Sequence, residues 1–389
     1  MKIVDVCAFY TPHGGGVRTY VERKLAAGPR CGHEIVIIAP GEEHRVEERG
    51  EGARIVYLPG PRFPLDRNYR YFDEASRLHD ALDAERPDFV EASSPWRSAE
   101  TVAQWQGSAP RALVMHADPL AAYAYRWFEP LASRPAIDRG FDRYWRHLRR
   151  LDAGFDTVVS ASESLSVRLR EGGLRHVTTQ PMGVEPGIFH PALRDESLRA
   201  RLLARCGLGP DAALLLGIGR HAPEKRWPMV IDACVAASYH RPIGLVLVGD
   251  GRERARIQRH VGVNPHIHLL SPIADRRALA RLMASADGLV HGCEAETFCM
   301  VAAEARASGL SLIAPDRGGA SDQAASSGGE LYRAADAASA AEAIGRLLDR
   351  PRRRPAGRPD MPAVRTMDRH FEELFQLYAS IAAPLRRAA

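Results

Sequence analysis

Three glutamates stand among small and apolar residues in CEAETFCMVAAEARASG, the segment from Cys293 to Gly309. Carboxylates at the edge of an apolar run are costly to bury without partners. Met300 to Ser308 is rich in helix formers and Gly309 suits a helix end, so the pattern predicts a helix. Glu296 then lies at the helix mouth and Glu304 inside it, about 12 Å farther along the axis. This separation is comparable with that between the sugar and the ribose of a nucleotide sugar, whose hydroxyl groups carboxylates can bind.

Two cations and a glycine-rich loop could bind an anion. Arg220 and Lys225 lie in GIGRHAPEKRW, between an apolar strand and a helix, where a guanidinium and an ammonium would suit a diphosphate. The alternative is a pair of solvated surface cations. TPHGGGVRTY follows the first strand, and its glycines, Gly15 and Gly16 among them, let backbone amides approach an anion. A plain turn is the alternative there, and Thr19 replaces the third glycine of a dinucleotide fingerprint, which disfavours a nicotinamide enzyme.

A histidine, His116, ends another apolar strand in the segment VMHAD. A single histidine at such a place is more often structural than catalytic, so the residues alone favour the structural interpretation. The six cysteines form no Cys-x-x-Cys pair, and no Asp-x-Asp motif stands out, so no metal site is predicted.

Short apolar runs alternate with helical patterns along the whole chain. Continuous apolar strands between helices predict α/β domains with parallel sheets that are covered on both faces. PMGVEPGIFHP, residues 181–191, is dense in glycine and proline and predicts an interdomain linker. We therefore expect two Rossmann-like domains, residues 1–185 and 186–365, with a C-terminal helix, 366–389, that packs back on the first. Ligands bind outside the carboxyl ends of such sheets, so the site is expected in the cleft between the domains.

Composition limits the partners and the compartment. A net charge of +5 suits anionic small ligands or an acidic membrane surface, but it is no nucleic-acid footprint in itself. Scattered single cysteines fit a reducing compartment. No apolar run approaches the roughly 18 residues of a membrane span. The expected localisation is the cytoplasm, including the inner face of the cytoplasmic membrane.

Five segments, taken in order, resemble the retaining glycosyltransferases of the GT-B fold, family 4. They are the glycine loop, the linker, GIGRHAPEKRW, LVGDGRERARI and a Glu-x7-Glu motif at Glu296 and Glu304. The resemblance covers nearly the whole chain and implies two Rossmann-like domains facing across a cleft. It implies that a sugar passes from a nucleotide-diphosphate sugar to a hydroxyl group of a lipid or glycan. It also implies that the anomeric configuration is retained and that neither a cofactor nor an obligatory metal is needed.

The resemblance assigns roles to the matching positions. Arg220 and Lys225 would bind the donor diphosphate, with help from the amides of Gly15 and Gly16. His116 would lie against the transferred sugar and the diphosphate oxygens, which reverses the structural interpretation above.

In the Glu-x7-Glu segment, Glu304 would hold the ribose hydroxyls and Glu296 would contact the donor sugar. The amides of Phe298, Cys299 and Met300 would lie nearby. Cys299 replaces a glycine of the family pattern, which is expected to narrow the pocket or shift the loop. The third glutamate, Glu294, is expected to be peripheral.

The acceptor is the least determined partner. YAYRWFEPLA and RGFDRYWRHLRRLD interleave aromatic residues with arginines and could border an acceptor cleft or lie on an anionic membrane. The more common outcome for such patterns is core helices with solvated arginines. DRPRRRPAGRP, residues 349–359, predicts an exposed loop. Two other functions stay open, a sugar-nucleotide epimerase or hydrolase of the same fold and a non-catalytic nucleotide-sugar-binding protein.

Overall fold

The computed structural model describes residues 1–11, 16–64, 69–129, 131–350 and 364–388, and side chains as far as residue 383. The chain divides into two compact units. The first unit comprises Met1–Asp118, Phe128–Pro181 and Met367–Ala389, and the second comprises Pro119–Trp127 and Met182–Thr366. The domain boundary at residue 185 stays a prediction. The run 349–359 lies largely outside the described residues.

Helices alternate with strands throughout both units. In chain order the α-helices are α1 Gly16–Arg30, α2 Ala75–Glu85, α3 Arg97–Gln104, α4 Arg126–Phe128, α5 Arg134–Gly140, α6 Asp142–Asp152, α7 Glu163–Glu171, α8 Glu196–Arg205, α9 Trp227–Ser238, α10 Arg254–Val261, α11 Arg276–Ala284, α12 Met300–Ala307, α13 Gly319–Ala325, α14 Ala337–Asp349 and α15 Met367–Ala388. A π-helix spans Leu120–Tyr125, and short 3-10 turns span Pro191–Leu193 and Pro223–Lys225.

The sheet of the first unit contains eight strands within the described residues, in the order β3-β4-β2-β1-β5-β6-β7-β8. The strands are β1 Lys2–Cys7, β2 Glu34–Gly41, β3 Arg45–Glu48, β4 Ala53–Pro59, β5 Phe89–Ser93, β6 Arg111–Met115, β7 Thr157–Ser160 and β8 Val177–Thr179. All pairs are parallel except β3 with β4. The edge strand β3 was not predicted, because RVEE is largely exposed and carries no apolar run. The strand order reverses between β1 and β5.

The sheet of the second unit has six parallel strands within the described residues, in the order β11-β10-β9-β12-β13-β14. They are β9 Ala213–Ile218, β10 Ile243–Val248, β11 Ile267–Leu270, β12 Gly288–Val290, β13 Ser311–Pro315 and β14 Glu330–Tyr332. The strand order reverses between β9 and β12. In open parallel sheets, this reversal leaves a crevice at the carboxyl ends of the strands, where ligands bind.

Strand periodicity explains why both faces of the second sheet are covered. Leu214 and Leu216 of β9 belong to one hydrophobic cluster, whereas Leu215 belongs to the other, together with Trp227 of α9. Alternate side chains of a strand point to opposite faces, so the run ALLLGI needs helices on both sides. Each fully buried leucine stabilises the fold by about 1.5–3 kcal/mol. The predicted α/β architecture is confirmed.

The C-terminal helix α15 packs within the first unit, as predicted. The Tyr20 hydroxyl lies 3.0 Å from His370 Nε2, and the Phe89 and Tyr378 rings stack with their centroids 4.1 Å apart. Phe371, Leu374 and related apolar residues of α15 are buried. The helix therefore belongs to the core of the first unit although the second unit precedes it in the chain.

A glycine after β10 supports the loop that carries Arg220 and Lys225. A Cβ atom on Gly249 would lie 2.0 Å from the Gly219 carbonyl oxygen. We expect Gly249→Ala to lower the free energy of unfolding of the second unit by about 3 kcal/mol, because backbone must move to admit the methyl group. Gly345→Ala is the matched control, since a Cβ there meets nothing within 4 Å, and should stabilise α14 by about 0.5–1 kcal/mol. Thermal denaturation of both variants is the measurement, and equal melting temperatures would contradict this role of Gly249.

Candidate functional site

At the strand reversal of the second unit, Lys225 and Glu296 form an ion pair between Nζ and Oε1. Lys225 ends the 3-10 turn that follows β9, and Glu296 lies in the loop between β12 and α12. The loops approach closely because Gly292 has no side chain, and a Cβ there would lie 2.5 Å from the Lys225 carbonyl oxygen. The two side chains are only 14% and 22% exposed. The fold thus joins two residues that the sequence analysis proposed separately.

The pair is held in its charged form. Burial alone would lower the pKa of Lys225, but the Glu296 carboxylate outweighs it and raises the pKa above its ordinary value. Burial alone would raise the pKa of Glu296, but Lys225 and His291 hold it well below its usual range. An ammonium and a carboxylate therefore both persist at neutral pH in a largely buried position.

His291 and Cys299 complete this cluster. His291 Nε2 lies 3.3 Å from Glu296 Oε1 and 3.6 Å from Cys299 Sγ. Burial lowers the pKa of His291, with Glu296 opposing, so the imidazole is neutral. His291 was not proposed from the sequence, although it directly follows an apolar strand just as His116 does, and that position was the available signal.

His291, Glu296 and Cys299 place their ligand atoms within 4.8 Å of one another, which raises the question of a metal. Metal ligation needs a thiolate and an available carboxylate. Burial raises the pKa of the Cys299 thiol well above its ordinary value, and the Lys225 ammonium already occupies the Glu296 oxygen. The donor set therefore fits a buried ion pair better than a divalent cation.

Cys299 has a left-handed backbone conformation. Its φ is +68° at the start of α12, in the left-handed region that glycine favours. The side chain is buried beside His291, and Phe298 is buried too. The amides of Met300 and Val301, the first two of α12, have no partners within the helix, so this end can receive an anion. Met300 is the first residue of the helix.

Glu304 lies inside α12 and is 5% exposed. Its Oε1 accepts a hydrogen bond from Nη2 of Arg276, the first residue of α11, and the Arg276 guanidinium lies 4.9 Å from the centroid of the Phe189 ring. Burial raises the pKa of Glu304, and Arg276 opposes this shift. Arg276 was not proposed from the sequence, because its partner lies 28 residues away on another helix.

Arg220 stands apart from the cluster. Its side chain is 78% exposed, and its Nη2 lies 3.0 Å from Glu224 Oε1 one turn along the same loop. The backbone carbonyl of Arg220 accepts a hydrogen bond of 2.9 Å from the Trp227 indole, which anchors the loop on the core. The guanidinium can therefore move while its backbone stays in place.

That Glu294 is peripheral to donor binding stays a prediction, but its carboxylate is not on the surface. Its side chain is 4% exposed and pairs at 2.7 Å with Arg226, the residue after Lys225.

Another feature that the sequence analysis missed is the Gly318–Gly319 turn after β13. The Gly319 amide donates to the Glu296 carbonyl at 2.7 Å, and a Cβ on Gly318 would lie 2.4 Å from the Glu294 carbonyl oxygen. Two adjacent glycines at the end of an apolar strand were the signal for this support.

In the first unit, His116 directly follows β6, the strand next to β5 at the strand reversal of this sheet. Its Nε2 is 3.3 Å from the Ser93 hydroxyl oxygen, and its ring meets the Tyr20 ring edge-on at 5.0 Å. Burial lowers the pKa of His116 to about 4, with Asp5 opposing and Lys24 adding to the shift. Gly16 begins α1, whereas Gly15 lies outside the described residues.

Comparison with known proteins decides the family. Residues 14–187 match the model described as Glycosyltransferase Family 4, and residues 204–357 match Glycosyl transferases group 1. A GDP-mannose-dependent alpha-mannosyltransferase of Mycobacterium tuberculosis (strain CDC 1551 / Oshkosh) is 31% identical, over 83% of this chain and 81% of the relative. The chain belongs to glycosyltransferase family 4. The predicted resemblance and the transfer of a sugar from a nucleotide-sugar donor are thereby confirmed.

This family 4 glycosyltransferase is also similar to a second mannosyltransferase in sequence and to a solved synthase in structure. A GDP-mannose-dependent alpha-(1-6)-phosphatidylinositol dimannoside mannosyltransferase of M. tuberculosis (strain ATCC 25177 / H37Ra) is 29% identical, over 80% of this chain and 79% of the relative. The solved sucrose-phosphate synthase from Thermosynechococcus elongatus superposes with a TM-score of 0.68 at 21% identity, over 100% of this chain and 98% of that one. The latter confirms the GT-B fold of the glycosyltransferase.

Proposed function

We propose that this family 4 glycosyltransferase transfers mannose from GDP-mannose to a hydroxyl group of a lipid or glycan, with retention of the anomeric configuration. The buried Lys225–Glu296 ion pair at the strand reversal of the second unit carries the proposal. It sets a cation for a diphosphate beside a carboxylate for sugar hydroxyls. The names of the relatives that are 31% and 29% identical support GDP-mannose as the donor.

Donor binding is assigned to the second unit. The Lys225 ammonium contacts Glu296 and would donate hydrogen bonds from its remaining N–H groups to the diphosphate. The exposed Arg220 guanidinium would leave Glu224 for the same phosphates, and the first amides of α12 would add the partial positive charge of a helix N-terminus. Glu296 would accept hydrogen bonds from mannose hydroxyls and Glu304 from the ribose.

The chemistry follows from these charges. As the bond from the anomeric carbon to the phosphate oxygen breaks, negative charge develops on GDP, and Lys225 and Arg220 stabilise it. The acceptor oxygen forms its bond on the same face of the sugar, and its proton passes to the departing phosphate oxygen, so the products are the mannoside and GDP. Glu296 stays ionised beside Lys225, with its pKa well below the usual range through Lys225 and His291 despite burial, and is a poor proton donor. The protein's own cations support transfer without a divalent metal.

Product analysis tests the proposal. The purified chain is incubated with GDP-mannose, UDP-glucose or ADP-glucose, with phosphatidylinositol or an alkyl mannoside as acceptor, in the presence of EDTA. We expect GDP release that needs an acceptor and an α-mannoside product by NMR. Release of free mannose without acceptor would show a hydrolase, a β-linked product would show inversion, and loss of activity in EDTA would show a metal requirement. Each of these results contradicts a stated part of the proposal.

Acceptor binding is assigned to the first unit. We propose that this unit contacts an anionic membrane surface through α6. Arg143, Arg146, Arg149 and Arg150 line an open depression there. The opposite face of α6 is core, with Trp145, Leu148 and Leu151 buried. The alternative of a core helix with solvated arginines is therefore correct for the packing of α6. No helix in the described part of the chain combines the length and apolar character that crossing a membrane requires.

Charge reversal tests the membrane contact. Arg143→Glu/Arg150→Glu is expected to abolish co-sedimentation with phosphatidylcholine vesicles that contain phosphatidylglycerol, at low salt. Arg201→Glu/Arg205→Glu, which reverses two exposed arginines of α8, is the matched control and should bind like the wild type. Equal binding of both variants, or no binding of the wild type, would contradict the contact.

A further inference from the structure

His221 follows Arg220 and precedes Lys225 in the segment between β9 and α9, residues 219–226, which we call the donor loop. Its side chain is fully buried, and neither ring nitrogen has a hydrogen-bond partner among the described residues. A neutral imidazole has one N–H to donate and one lone pair to accept. Buried polar groups are almost always paired, because an unmade hydrogen bond in the core is costly. An aliphatic side chain would fill this space without that cost, so packing alone does not account for a histidine here.

The backbone of His221 joins the donor loop to the loop between β10 and α10. Its N–H donates to the Asp250 carbonyl at 2.7 Å, and its own carbonyl accepts from the Glu253 N–H at 3.0 Å. The loops approach this closely because Gly251 has no side chain, and a Cβ there would lie 2.6 Å from the His221 carbonyl oxygen. On α9, the Trp227 ring meets the imidazole edge-on, with centroids 6.2 Å apart. His221 is therefore the residue through which the donor loop is held against the rest of the second unit.

The surroundings of the ring favour its neutral form. Burial lowers the pKa of His221, the Arg254 guanidinium adds to this shift, and the Asp250 carboxylate opposes it. Both of these charges come from the segment after β10, whereas α9 presents the uncharged indole of Trp227. An imidazolium has two N–H groups to donate, and no acceptor among the described residues meets either nitrogen. A protonated ring is therefore stable only if it turns out of the core into water.

We propose that His221 is a positioning residue that makes donor binding sensitive to acid. As a neutral, enclosed ring it holds the donor loop in the form that presents Arg220 and Lys225 to a nucleoside diphosphate. When a ring nitrogen takes up a proton from water, the ring leaves the core and the loop is released. The inference rests on the proposed function, which assigns the diphosphate to this loop. His221 acts through the two cations and does not touch the substrate.

The direction of the pH effect follows from the two states of the ring. An imidazole in water has a pKa of about 6.5, and burial lowers the pKa of the enclosed ring below this value. Below about pH 6.5 the released form therefore binds more protons than the enclosed form. Its share rises by about tenfold for each pH unit, until the pH reaches the pKa of the enclosed ring. The affinity for a nucleoside diphosphate should thus be complete above neutral pH and fall as the pH drops through the weakly acidic range.

Calorimetric titration of the whole protein with GDP, at about pH 7.5 and about pH 5, tests the inference. His221→Leu has a side chain of similar size that takes up no proton, and it should bind GDP like the wild type at the higher pH. At the lower pH, the wild type should bind GDP at least about fivefold more weakly than this variant. Comparison at one pH cancels the protonation of GDP itself. His240→Leu, which removes an exposed histidine of the same unit, is the matched control and should keep the pH dependence of the wild type.

Hydrogen exchange separates this inference from the proposed function, because it needs no ligand. The Glu253 amide is bound to the His221 carbonyl, so its protection reports release of the donor loop. After correction for the intrinsic effect of pH, its protection in the wild type should fall by about tenfold between the two pH values. His221→Leu should show no such fall.

Each outcome decides one of the two proposals. Unchanged protection of Glu253 in the wild type would overturn the inference without any variant. An equal loss of GDP affinity at acid pH in the wild type and in His221→Leu would overturn it as well. If protection falls as expected but GDP binds at neither pH, the proposed function fails while the acid-dependent release of the loop stands.

Discussion

Replacing Lys225 with alanine is expected to lower kcat/KM for sugar transfer by about 10²–10³-fold. The reason is that the ammonium stabilises charge that develops on the leaving diphosphate, in a position that is largely shielded from water. The affinity for GDP should also fall, whereas Glu296→Gln should leave GDP binding nearly unchanged, because Glu296 is assigned to the sugar. Steady-state kinetics and calorimetric titration with GDP measure the two effects.

A double variant separates chemistry from structure in this prediction. Lys225→Ala leaves the Glu296 carboxylate without its cation, which could distort the loop through an uncompensated charge. Lys225→Ala/Glu296→Gln removes that charge as well. If Lys225 served only to balance Glu296, the double variant would regain GDP affinity, although its activity would stay low because Glu296 no longer contacts the sugar. We expect it to stay inactive and to bind GDP as weakly as Lys225→Ala.

Replacing Glu304 with alanine should raise KM for the donor about 10- to 100-fold, because hydrogen bonds to a charged group contribute about 1.5–3 kcal/mol. The fold should persist, since the partner Arg276 is 42% exposed and can be solvated. The ribose assignment has a sharper consequence. The wild type should bind GDP more tightly than its 2′-deoxy and 3′-deoxy analogues, and Glu304→Ala should bind all three alike.

Arg276→Ala is the control for this second prediction. It breaks the same ion pair from the other side and leaves Glu304 in place. This variant should lose stability yet still discriminate GDP from the deoxy analogues. A Glu304→Ala variant that discriminates as well as the wild type would show that Glu304 is only the structural partner of Arg276.

Some of the site follows from local pattern. The helix of Met300–Ala307 could be predicted, with Glu304 inside it and Glu296 before it. The reason is that helix formers and a terminal glycine act within a few residues. The loop position of Lys225 was readable for the same reason, since it follows the apolar run of β9. Short polar strands were not readable. β3 was missed, because its register with β4 and not its own residues makes it a strand.

Pairing across the fold was beyond the sequence. Lys225 and Glu296 are 71 residues apart, and no local pattern in either loop indicates that the two side chains pair. The partner of Glu294 was not predicted either, and the fold buries this carboxylate against Arg226. Likewise, Asp5, Lys24 and Glu91 read as isolated charges within or beside apolar runs, and only the pairing of β1 with β5 brings the two carboxylates to one lysine.

Local patterns in the sequence were thus enough to predict the family, the α/β alternation and the residue types available at each strand end. Apolar periodicity and glycine position act locally, and so a single chain displays them. Three partnerships follow only from the tertiary structure. Lys225 keeps Glu296 ionised, Arg276 pairs with Glu304, and Ser93 faces His116. Electrostatic and hydrogen-bond partners depend on distances in space, and these are set by the order and register of the strands.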